Sequence, residues 1–353
     1  MNKDLVFVTG SMRRGGAERV ISILSNDLVN RGWKVYIITL LRPEIEYDLN
    51  TKIIHVDISS KKANKALDIP RLVRELRRII KDIKPNSVIS FMMNINIVTW
   101  LAVRKLKVKF IASERNDPTQ GRSRIKHWLS CLAYASTYKT VFQTDRAKSF
   151  YNSKIREKGI IIPNPINVEC LREKSQEHKI VSVGRLDPQK NRRLLIESFS
   201  VVHSNHPEYS LHIFGEGIQE QELKALATDL NISDYIVFHG NVNDVHYQIK
   251  DADIFVLSSD YEGLSNALLE AMMMGLPCVS TDCAGATEAI ENGVDGFIVP
   301  IRDKAKMIEA MEALIVDEKL REKFSKNAVI HAKQFEVKSV VDKWEELFVD
   351  TKV

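Results

Sequence analysis

Short apolar runs of strand type alternate with helical patterns along the chain, and this alternation is the feature that most limits the possible folds. The first example is the strand LVFVTG, the glycine-rich turn SMRRGGAER, the helical pattern VISILSNDLVNRG and the strand KVYIITL. A strand, a helix and a second strand in this order predict parallel pairing with a right-handed crossover. We therefore expect an α/β protein.

Two such alternations follow one another, separated by a segment rich in proline and asparagine. This segment, IIPNPINVEC, leads into a polar stretch, and the linker is predicted at 163–176. We expect a doubly wound, Rossmann-like domain at 1–168 and another at 169–334, with a final helix at about 335–350 that packs back on the first domain. The two domains are expected to face a cleft, because such sheets bind ligands outside the carboxyl ends of their strands.

The remaining elements are placed by the same patterns. In the first half, further strands are predicted at 53–56, 87–91, 109–113 and 140–143. In the second half, the strands KIVSV, SLHIF, IVFHG, DIFVL, PCVST and GFIV alternate with helices at 191–203, 218–230, 243–250, 265–274 and 287–291.

Charge is distributed unequally between the two halves. Residues 1–168 contain 31 Lys and Arg against 14 Asp and Glu, whereas residues 169–353 contain 20 against 32. In the segment DIPRLVRELRRIIKDIK, Arg71, Arg74, Arg78 and Lys81 share one face of a helix. This pattern predicts docking to anionic lipid headgroups or to a lipid-linked diphosphate, and the alternative is a solvated helix face.

A second cationic segment, GRSRIKHWLSCLAY, places Trp128 and Tyr134 near basic residues, which suggests shallow insertion at a lipid interface. Nucleic acid is disfavoured as a partner because no binding motif and no aromatic residues interleaved with cations are present. The most apolar stretch, at 88–103, is too short and too polar to span a bilayer. Four cysteines without CxxC spacing and no signal-peptide pattern predict a cytoplasmic protein without disulfides. Together with the basic charge of the first half, this predicts peripheral association with the inner face of the cell membrane.

Two glutamates flank the loop that follows the apolar strand DIFVLSS. In EGLSNALLE, Glu262 comes directly before a glycine, and Glu270 falls in the second turn of the next predicted helix. The first amides of that helix can hold phosphate, and the two carboxylates can accept hydrogen bonds from sugar hydroxyls. The alternative is a pair of solvent-facing glutamates near a helix N-terminus, where negative charge is favourable.

Two cations follow the strand KIVSV in a similar position. In GRLDPQKN, Arg185 and Lys190 come at the carboxyl edge, where two fixed positive charges suit a diphosphate. Alone, such a motif is more often a charged surface loop. Weaker signals lie at other strand ends, where Gly215 and Gly217 allow close backbone approach. The chain around His239 in FHG is expected to present its backbone to a flat base, and the alternative is an ordinary strand end.

Gly15 and Gly16 open the first helix and are expected to face the same diphosphate. The fingerprint G-x-G-x-x-G is absent after the first strand, which disfavours a nicotinamide oxidoreductase.

Taken together, GGAER, SERNDP, GRLDPQKN, FGEG, EGLSNALLE and GATEAIENGVDGFIV resemble the motifs of the retaining glycosyltransferases of family four, which have the two-domain GT-B fold. The resemblance covers essentially the whole chain and is specific through the pairing of the Arg…Lys and Glu…Glu motifs. Within this family, the chain is similar to bacterial members that move UDP-linked hexoses or N-acetylhexosamines onto lipid-linked or polysaccharide acceptors of the cell surface.

The resemblance implies roles for individual residues. Arg185 and Lys190 would bind the diphosphate, Glu270 the ribose and Glu262 the transferred sugar, while the backbone of Gly263, Leu264 and Ser265 would cradle phosphate and sugar. Many relatives have a histidine where SERN has Arg115, so a mechanism that depends on an imidazole does not carry over. Glu114 and Asn116 are the neighbours that could share that role.

No metal and no cofactor are expected, since side-chain cations occupy the place of the usual ion. The Asp251–Asp253 pair in DAD precedes its strand and so lies at the wrong end for the cleft. Two alternatives stay open: a nucleotide-sugar epimerase of the same fold, which would alter the donor without an acceptor, and a non-catalytic sugar-nucleotide-binding scaffold, which would tolerate loss of Glu270.

Overall fold

The computed structural model describes residues 3–13, 15–59, 68–119, 123–174 and 177–349. These residues form two compact units, Met1–Pro165 with Val337–Val353 and Ile166–Glu336. Each unit is built around a parallel sheet, so the predicted α/β class with two doubly wound domains is confirmed. Arg14, Gly121, Arg122 and two linker positions, 175 and 176, lie outside the described residues.

The first unit contains a seven-stranded sheet in the order β3-β2-β1-β4-β5-β6-β7. Its elements are β1 Asp4–Thr9, α1 Gly16–Asn30, β2 Lys34–Thr39, β3 Ile54–Asp57, α2 Ile69–Ile83, β4 Ser87–Phe91, α3 Met93–Val103, β5 Lys109–Ser113, α4 Arg124–Ala135, β6 Lys139–Phe142, α5 Asp145–Ser149, α6 Ser153–Lys158 and β7 Gly159–Ile161.

The second unit contains a six-stranded sheet in the order β10-β9-β8-β11-β12-β13. Its elements are β8 Lys179–Val183, α7 Arg192–Asn205, β9 Ser210–Phe214, α8 Glu220–Asp229, β10 Ile236–Gly240, α9 Val245–Ile249, β11 Ile254–Leu257, α10 Asn266–Met274, β12 Cys278–Thr281, α11 Ala286–Ala289, β13 Gly296–Val299, α12 Lys304–Val316 and α13 Glu318–Ala332. The chain then returns to the first unit as α14, Val337–Glu345.

The strands are apolar throughout because helices cover both faces of each sheet. In β1, Leu5 and Phe7 contribute to one hydrophobic cluster, and Val6 and Val8 contribute to the cluster on the opposite face. This alternation is the two-residue period of a strand. All four side chains are completely buried.

The last helix closes one face of the first sheet. Trp344 of α14 is fully buried and stacks on Phe91 at the end of β4, with ring centroids 5.8 Å apart. Arg31, at the end of α1, donates to Asp342 at 2.5 Å and to Glu345 at 2.9 Å. The segment that follows the second unit therefore completes the core of the first.

Three helices cover the other face of the first sheet. Leu76 of α2, Ala102 of α3 and Ala133 of α4 belong to one buried cluster, and α3 packs against both of its neighbours. The outer faces of α2 and α4 therefore belong to the same helical layer. Among the described residues, no helix combines the length and the hydropathy needed to cross a membrane.

Three elements were not anticipated by the patterns in the sequence. The short strand β7 forms one edge of the first sheet, beside β6, and α12 and α13 follow the last strand of the second. α12 begins after Asp303, whose side chain accepts from the amide of Lys306, and α13 is capped in the same way by Asp317. These two caps were the available signals, because a side-chain oxygen there satisfies an amide without an intrahelical partner.

Candidate active site

The candidate site lies at the carboxyl edge of the second sheet. Strands β8 and β11 are neighbours at its centre, and the chain runs outward from β8 on one side and from β11 on the other. This reversal of strand order is where ligands bind in open α/β sheets. The loop after β8 carries Arg185 and Lys190, and the loop after β11 carries Glu262 and leads to Glu270.

Lys190 and Glu262 meet across these two loops. The Lys190 ammonium forms an ion pair with Oε1 of Glu262, and both side chains are largely buried. Glu262 also accepts from the hydroxyl of Ser259 at 2.7 Å and from the amide of Gln189 at 3.3 Å. The two residues singled out from separate motifs are thus brought into direct contact.

Several backbone contacts lock the two loops together. The amide of Asp260 donates to the carbonyl of Gln189 at 2.9 Å, and the hydroxyl of Ser258 donates to the carbonyl of Lys190 at 2.9 Å. The side chain of Asn191 donates to Asp260 at 2.8 Å. The loops begin at the neighbouring strands β8 and β11, and these bonds join them where Lys190 and Glu262 lie.

Glycines at the strand ends are explained by contacts within the protein. Gly215 has φ of +129°, and a Cβ on it would lie 2.2 Å from the carbonyl oxygen of Gly184. A Cβ on Gly217 would lie 2.2 Å from the carbonyl oxygen of Leu186. The loops after β8 and β9 therefore approach so closely that only glycine fits. A role of Gly215 in donor binding stays a prediction.

The second glutamate lies in the helix that follows the loop of Glu262. Glu270 is in the second turn of α10, is 4% exposed and has an oxygen 3.3 Å from Nε2 of His246 in α9. The patterns in the sequence did not single out His246, because a histidine in a short helix carries no motif. Gly263, Leu264 and Ser265 form the turn into α10, and Ser265 caps it.

Arg185 and His239 lie apart from the ion pair. The Arg185 side chain is 74% exposed and contacts Asp187 at 3.0 Å. It therefore projects into solvent, whereas Lys190, on the same loop, is largely buried. His239, in β10, stacks on Phe214 with centroids 4.1 Å apart and lies 2.9 Å from His212. Burial lowers the pKa of His239. Burial, assisted by the neighbouring His239, lowers the pKa of His212 to about 4. Both rings are therefore neutral at pH 7.

Sequence patterns missed a third cation of this edge, Arg192. Its side chain is completely buried at the start of α7, and Nη1 donates to the hydroxyl of Ser182. Burial lowers the pKa of Arg192 to about 10, while the charges of Glu262 and Asp187 oppose that shift. The available signal was its position two residues after Lys190.

Sites predicted in the first unit are distributed over several of its elements. Gly15 precedes α1, and both its amide and its carbonyl bond the hydroxyl of Tyr47, at 3.0 and 2.8 Å. Gly16 is the first residue of that helix. A Cβ on Gly15 would lie 2.3 Å from a carboxylate oxygen of Glu18, at the end of a flexible side chain that can move. A role of Gly15 and Gly16 in donor binding stays a prediction.

Arg115 is 6% exposed and forms part of the core of the first unit. Its guanidinium lies 4.7 Å from the ring centroid of Phe91 and 5.6 Å from that of Trp344, and it donates to Asn164 at 2.8 Å. Burial lowers its pKa to about 9, although Glu114 opposes the shift. The two aromatic rings stabilise the cation. A catalytic role for Arg115 stays a prediction.

A buried polar network surrounds Glu114. Its carboxylate accepts from the hydroxyls of Tyr134 at 2.8 Å and Tyr151 at 3.1 Å, and Asn96 donates to Tyr134 at 3.1 Å. The expectation that Tyr134 inserts at a lipid interface is therefore wrong, because Tyr134 is fully buried within this network. Asn116, in contrast, is exposed.

The predicted basic face of α2 is only partly free. Arg74, Arg78 and Lys81 are exposed, whereas Arg71 is bonded to Asp68 at 2.7 and 2.8 Å and to Glu75 at 2.8 Å. Its guanidinium also donates to the carbonyl of Ile58. Three of the four cations are therefore available at the surface.

The two aspartates of DAD serve the opposite end of the second sheet. Asp251 pairs with Lys179 at 2.8 Å, and Asp253 pairs with Arg172 at 3.4 Å. Both precede β11, away from its carboxyl end. No cluster of three or more His, Cys, Asp or Glu side chains suited to a metal ion occurs in the described parts of the chain.

Comparison with known protein families identifies both halves of the chain. Residues 14–170 match the family model described as "Glycosyltransferase Family 4". Residues 165–330 match the model described as "Glycosyl transferases group 1". The second match contains all of the loops at the carboxyl edge described above.

Similar individual proteins include N-acetylgalactosamine-N,N'-diacetylbacillosaminyl-diphospho-undecaprenol 4-alpha-N-acetylgalactosaminyltransferase of Campylobacter jejuni, which is 26% identical over 95% of this chain and 96% of that protein. UDP-Gal:alpha-D-GlcNAc-diphosphoundecaprenol alpha-1,3-galactosyltransferase of Escherichia coli is 30% identical over 54% of each chain. Anabaena HepE, solved in complex with UDP and glucose, superposes with a TM-score of 0.83 at 15% identity, over 98% of this chain and 99% of that one. The fold is that of the GT-B proteins.

Proposed function

The chain is a glycosyltransferase, with a Glycosyltransferase Family 4 domain followed by a Glycosyl transferases group 1 domain, and from this we propose that it transfers a hexose or N-acetylhexosamine from a UDP-sugar with retention of configuration. The acceptor is a lipid-linked oligosaccharide or a polysaccharide in cell-surface glycan synthesis. The C. jejuni and E. coli relatives, whose names specify acceptors on an undecaprenol diphosphate, support this class of acceptor. The UDP named for the E. coli relative and for HepE supports the donor.

The observation that carries the proposal is the contact between Lys190 and Glu262 at the switch point of the second sheet. A diphosphate needs a fixed cation, and a sugar needs an acceptor of hydroxyl hydrogen bonds. Here the two groups lie side by side, and the loop that carries Glu262 leads into α10, which contains the buried carboxylate of Glu270. A carboxylate in this position can accept hydrogen bonds from the hydroxyls of a ribose.

The reaction breaks the bond between the anomeric carbon and the diphosphate oxygen. Negative charge grows on the departing UDP, where Lys190, Arg185 and the first amides of α10 stabilise it. The acceptor oxygen forms the new bond on the same face of the sugar, and its proton passes to the departing phosphate oxygen. Glu262 accepts from the sugar hydroxyls and fixes the ring during this exchange.

No metal ion is required in this scheme, because side-chain cations neutralise the departing diphosphate. Turnover is therefore expected to persist in EDTA, with no gain on addition of manganese. Loss of turnover in the chelator, restored by manganese, would contradict this part of the proposal.

The donor is tested by thermal unfolding in the presence of UDP-, GDP- and ADP-sugars. A ligand that binds only the folded protein raises the midpoint, and at 100 times its Kd it contributes about 2.7 kcal/mol. UDP-sugars should raise the midpoint, and the GDP and ADP compounds should leave it unchanged. Proton NMR of the product then reads the anomeric configuration, and a β-linked product from an α-linked donor would exclude retention.

The protein is further proposed to work at an anionic membrane surface on the inner face of the cell membrane. Arg74, Arg78 and Lys81 project from α2, which shares a helical layer with α4. On α4, Ile125 and Trp128 are 72% and 61% exposed, although both are large and apolar. This helix contains no acidic residue. Exposed cations and an exposed tryptophan in one layer suit lipid headgroups and the interface beneath them.

A further inference from the structure

Arg192 is a buried cation that the proposed chemistry leaves without a role. Its side chain has no exposed surface, and only Nη1 has a hydrogen-bond partner, the hydroxyl of Ser182. Nε and Nη2 have none. A buried charge is costly unless it is paired, so such a group calls for an explanation.

The guanidinium lies beside the ion pair of the candidate site. A Cβ built on Gly184 would come 3.1 Å from Nη2 of Arg192 and 3.6 Å from Nζ of Lys190. Both cations therefore approach the same point, just after β8. Two carboxylates, those of Glu262 and Asp187, favour the charged form of Arg192. Of these, Asp187 also pairs with Arg185.

The groups that face Glu262 come from three elements. Lys190 and Gln189 approach from the loop after β8, and Ser259 approaches from its own loop. The third element is the segment after β12, which carries Cys283. Burial, with a smaller contribution from the negative charge of Glu262, raises the pKa of the Cys283 thiol to about 12, so this thiol is neutral at pH 7. Lys190 and Arg192 are therefore the two cations near this carboxylate in the described part of the site.

We propose that Arg192 is a positioning residue of the donor site, whose guanidinium stabilises the charge of Glu262 when Lys190 moves from Glu262 to the diphosphate of the donor. The inference rests on the proposed function, because it requires a diphosphate that competes for Lys190. In the structure Lys190 forms an ion pair with Glu262. Binding of the donor must break that pair and leave a buried carboxylate, and a fixed cation nearby lowers the cost of this step.

The inference predicts a coupling that depends on the charge of Glu262. Replacement of Arg192 by methionine, or by glutamine as a second neutral variant, should weaken binding of UDP by about ten-fold. In an E262Q background no anion is left behind, so the same replacement should change UDP affinity by less than about two-fold. R192K, which keeps the charge, should retain most of the affinity.

The experiment is calorimetric titration of the full-length protein with UDP for the wild type, R192M, R192Q, R192K, E262Q and the double variants. Arg193→Met is the matched control, since it removes the adjacent guanidinium, which is half exposed and pairs with Glu197 and Glu222. This control should bind UDP as the wild type does. Thermal unfolding without ligand verifies that each variant is folded.

Three results would overturn the inference, and they are distinguishable. An equal loss of affinity from R192M and R192Q with and without Glu262 would show that Arg192 acts only on the local structure, and unchanged affinity in both would show that it has no role in the site. Absence of UDP binding by the wild type would instead remove the proposed donor, and the inference would fall with it.

Discussion

At the scale of single residues, Lys190 provides the most direct test of the diphosphate assignment. Lys190→Met should lower turnover by about 10²- to 10³-fold, because one stabiliser of the charge on the departing group is lost. Steady-state kinetics with a UDP-sugar measures this change. Lys306→Met, which removes an exposed lysine of α12, is the control and should leave turnover unchanged. Near-normal turnover of the Lys190 variant would place the diphosphate elsewhere.

Glu270 is predicted to contribute to donor binding rather than to the chemical step. Glu270→Gln should raise KM for the donor by about 10- to 100-fold, as expected for loss of hydrogen bonds to a charged group, with a small change in kcat. Exposed Glu309 of α12 offers the matched change, Glu309→Gln, which should alter neither constant. A fall in kcat at constant KM would assign Glu270 to the transition state instead.

At the scale of elements, α14 is predicted to be essential for the core of the first unit. Trp344 is fully buried against Phe91 and Arg115, so Trp344→Ala should lower the free energy of unfolding by about 3–5 kcal/mol. Lys343→Ala, an exposed position on the same helix, should change it by less than about 0.5 kcal/mol. Urea denaturation measures both, and equal stabilities would mean that α14 is dispensable.

A histidine in α13 is predicted to make stability depend on pH. His331 bonds Asp295 at 2.6 Å, and this bond raises the pKa of His331 above 6.5 although burial opposes the shift. Protonated His331 is therefore favoured in the folded state. Its contribution is fully present below pH 6.5 and is lost as the pH rises through the folded-state pKa.

The stability difference between the wild type and His331→Gln should accordingly be larger at pH 6 than at pH 9. Thermal unfolding across this range measures the difference. His206, which lies outside this bond, provides the control variant His206→Gln. A difference that stays constant with pH, or grows on the alkaline side, would contradict the assignment.

At the scale of the whole molecule, the uneven charge of the two halves predicts binding to anionic vesicles. Replacing Arg74, Arg78 and Lys81 by glutamine should weaken co-sedimentation with phosphatidylserine vesicles by about 100-fold, at about 1 kcal/mol per cation. The matched control replaces the exposed Lys304, Lys319 and Lys326 of the second unit. The wild-type interaction should weaken with salt, because surface charges are screened.

The apolar part of this surface is separable from its charge. Trp128→Ala should weaken vesicle binding at every salt concentration, since it removes buried area rather than charge. Failure of the wild type to sediment with vesicles at low salt would remove the membrane proposal while leaving the donor site unaffected.

Sequence alone determined the fold class and the edge at which the candidate site is predicted. Parallel strands that are covered on both faces must be apolar throughout, and their connections must be helical. The alternation of apolar strands with helices can therefore be recognised in the sequence. For the same reason Lys190, Glu262 and Glu270 could be assigned to the carboxyl ends of β8 and β11. The helices α12 and α13 were not predicted, because no strand follows them to complete the alternation.

Only the tertiary structure decided which side chains meet. Lys190 contacts Glu262 and His246 approaches Glu270, although the partners in each pair are distant along the chain. Arg192 is buried, although no motif marks it. Tyr134 and Trp128 are equally amphipathic in sequence, yet one is buried on Glu114 and the other is exposed. Local patterns set how each segment folds, whereas burial and pairing depend on packing between segments, which no local pattern encodes.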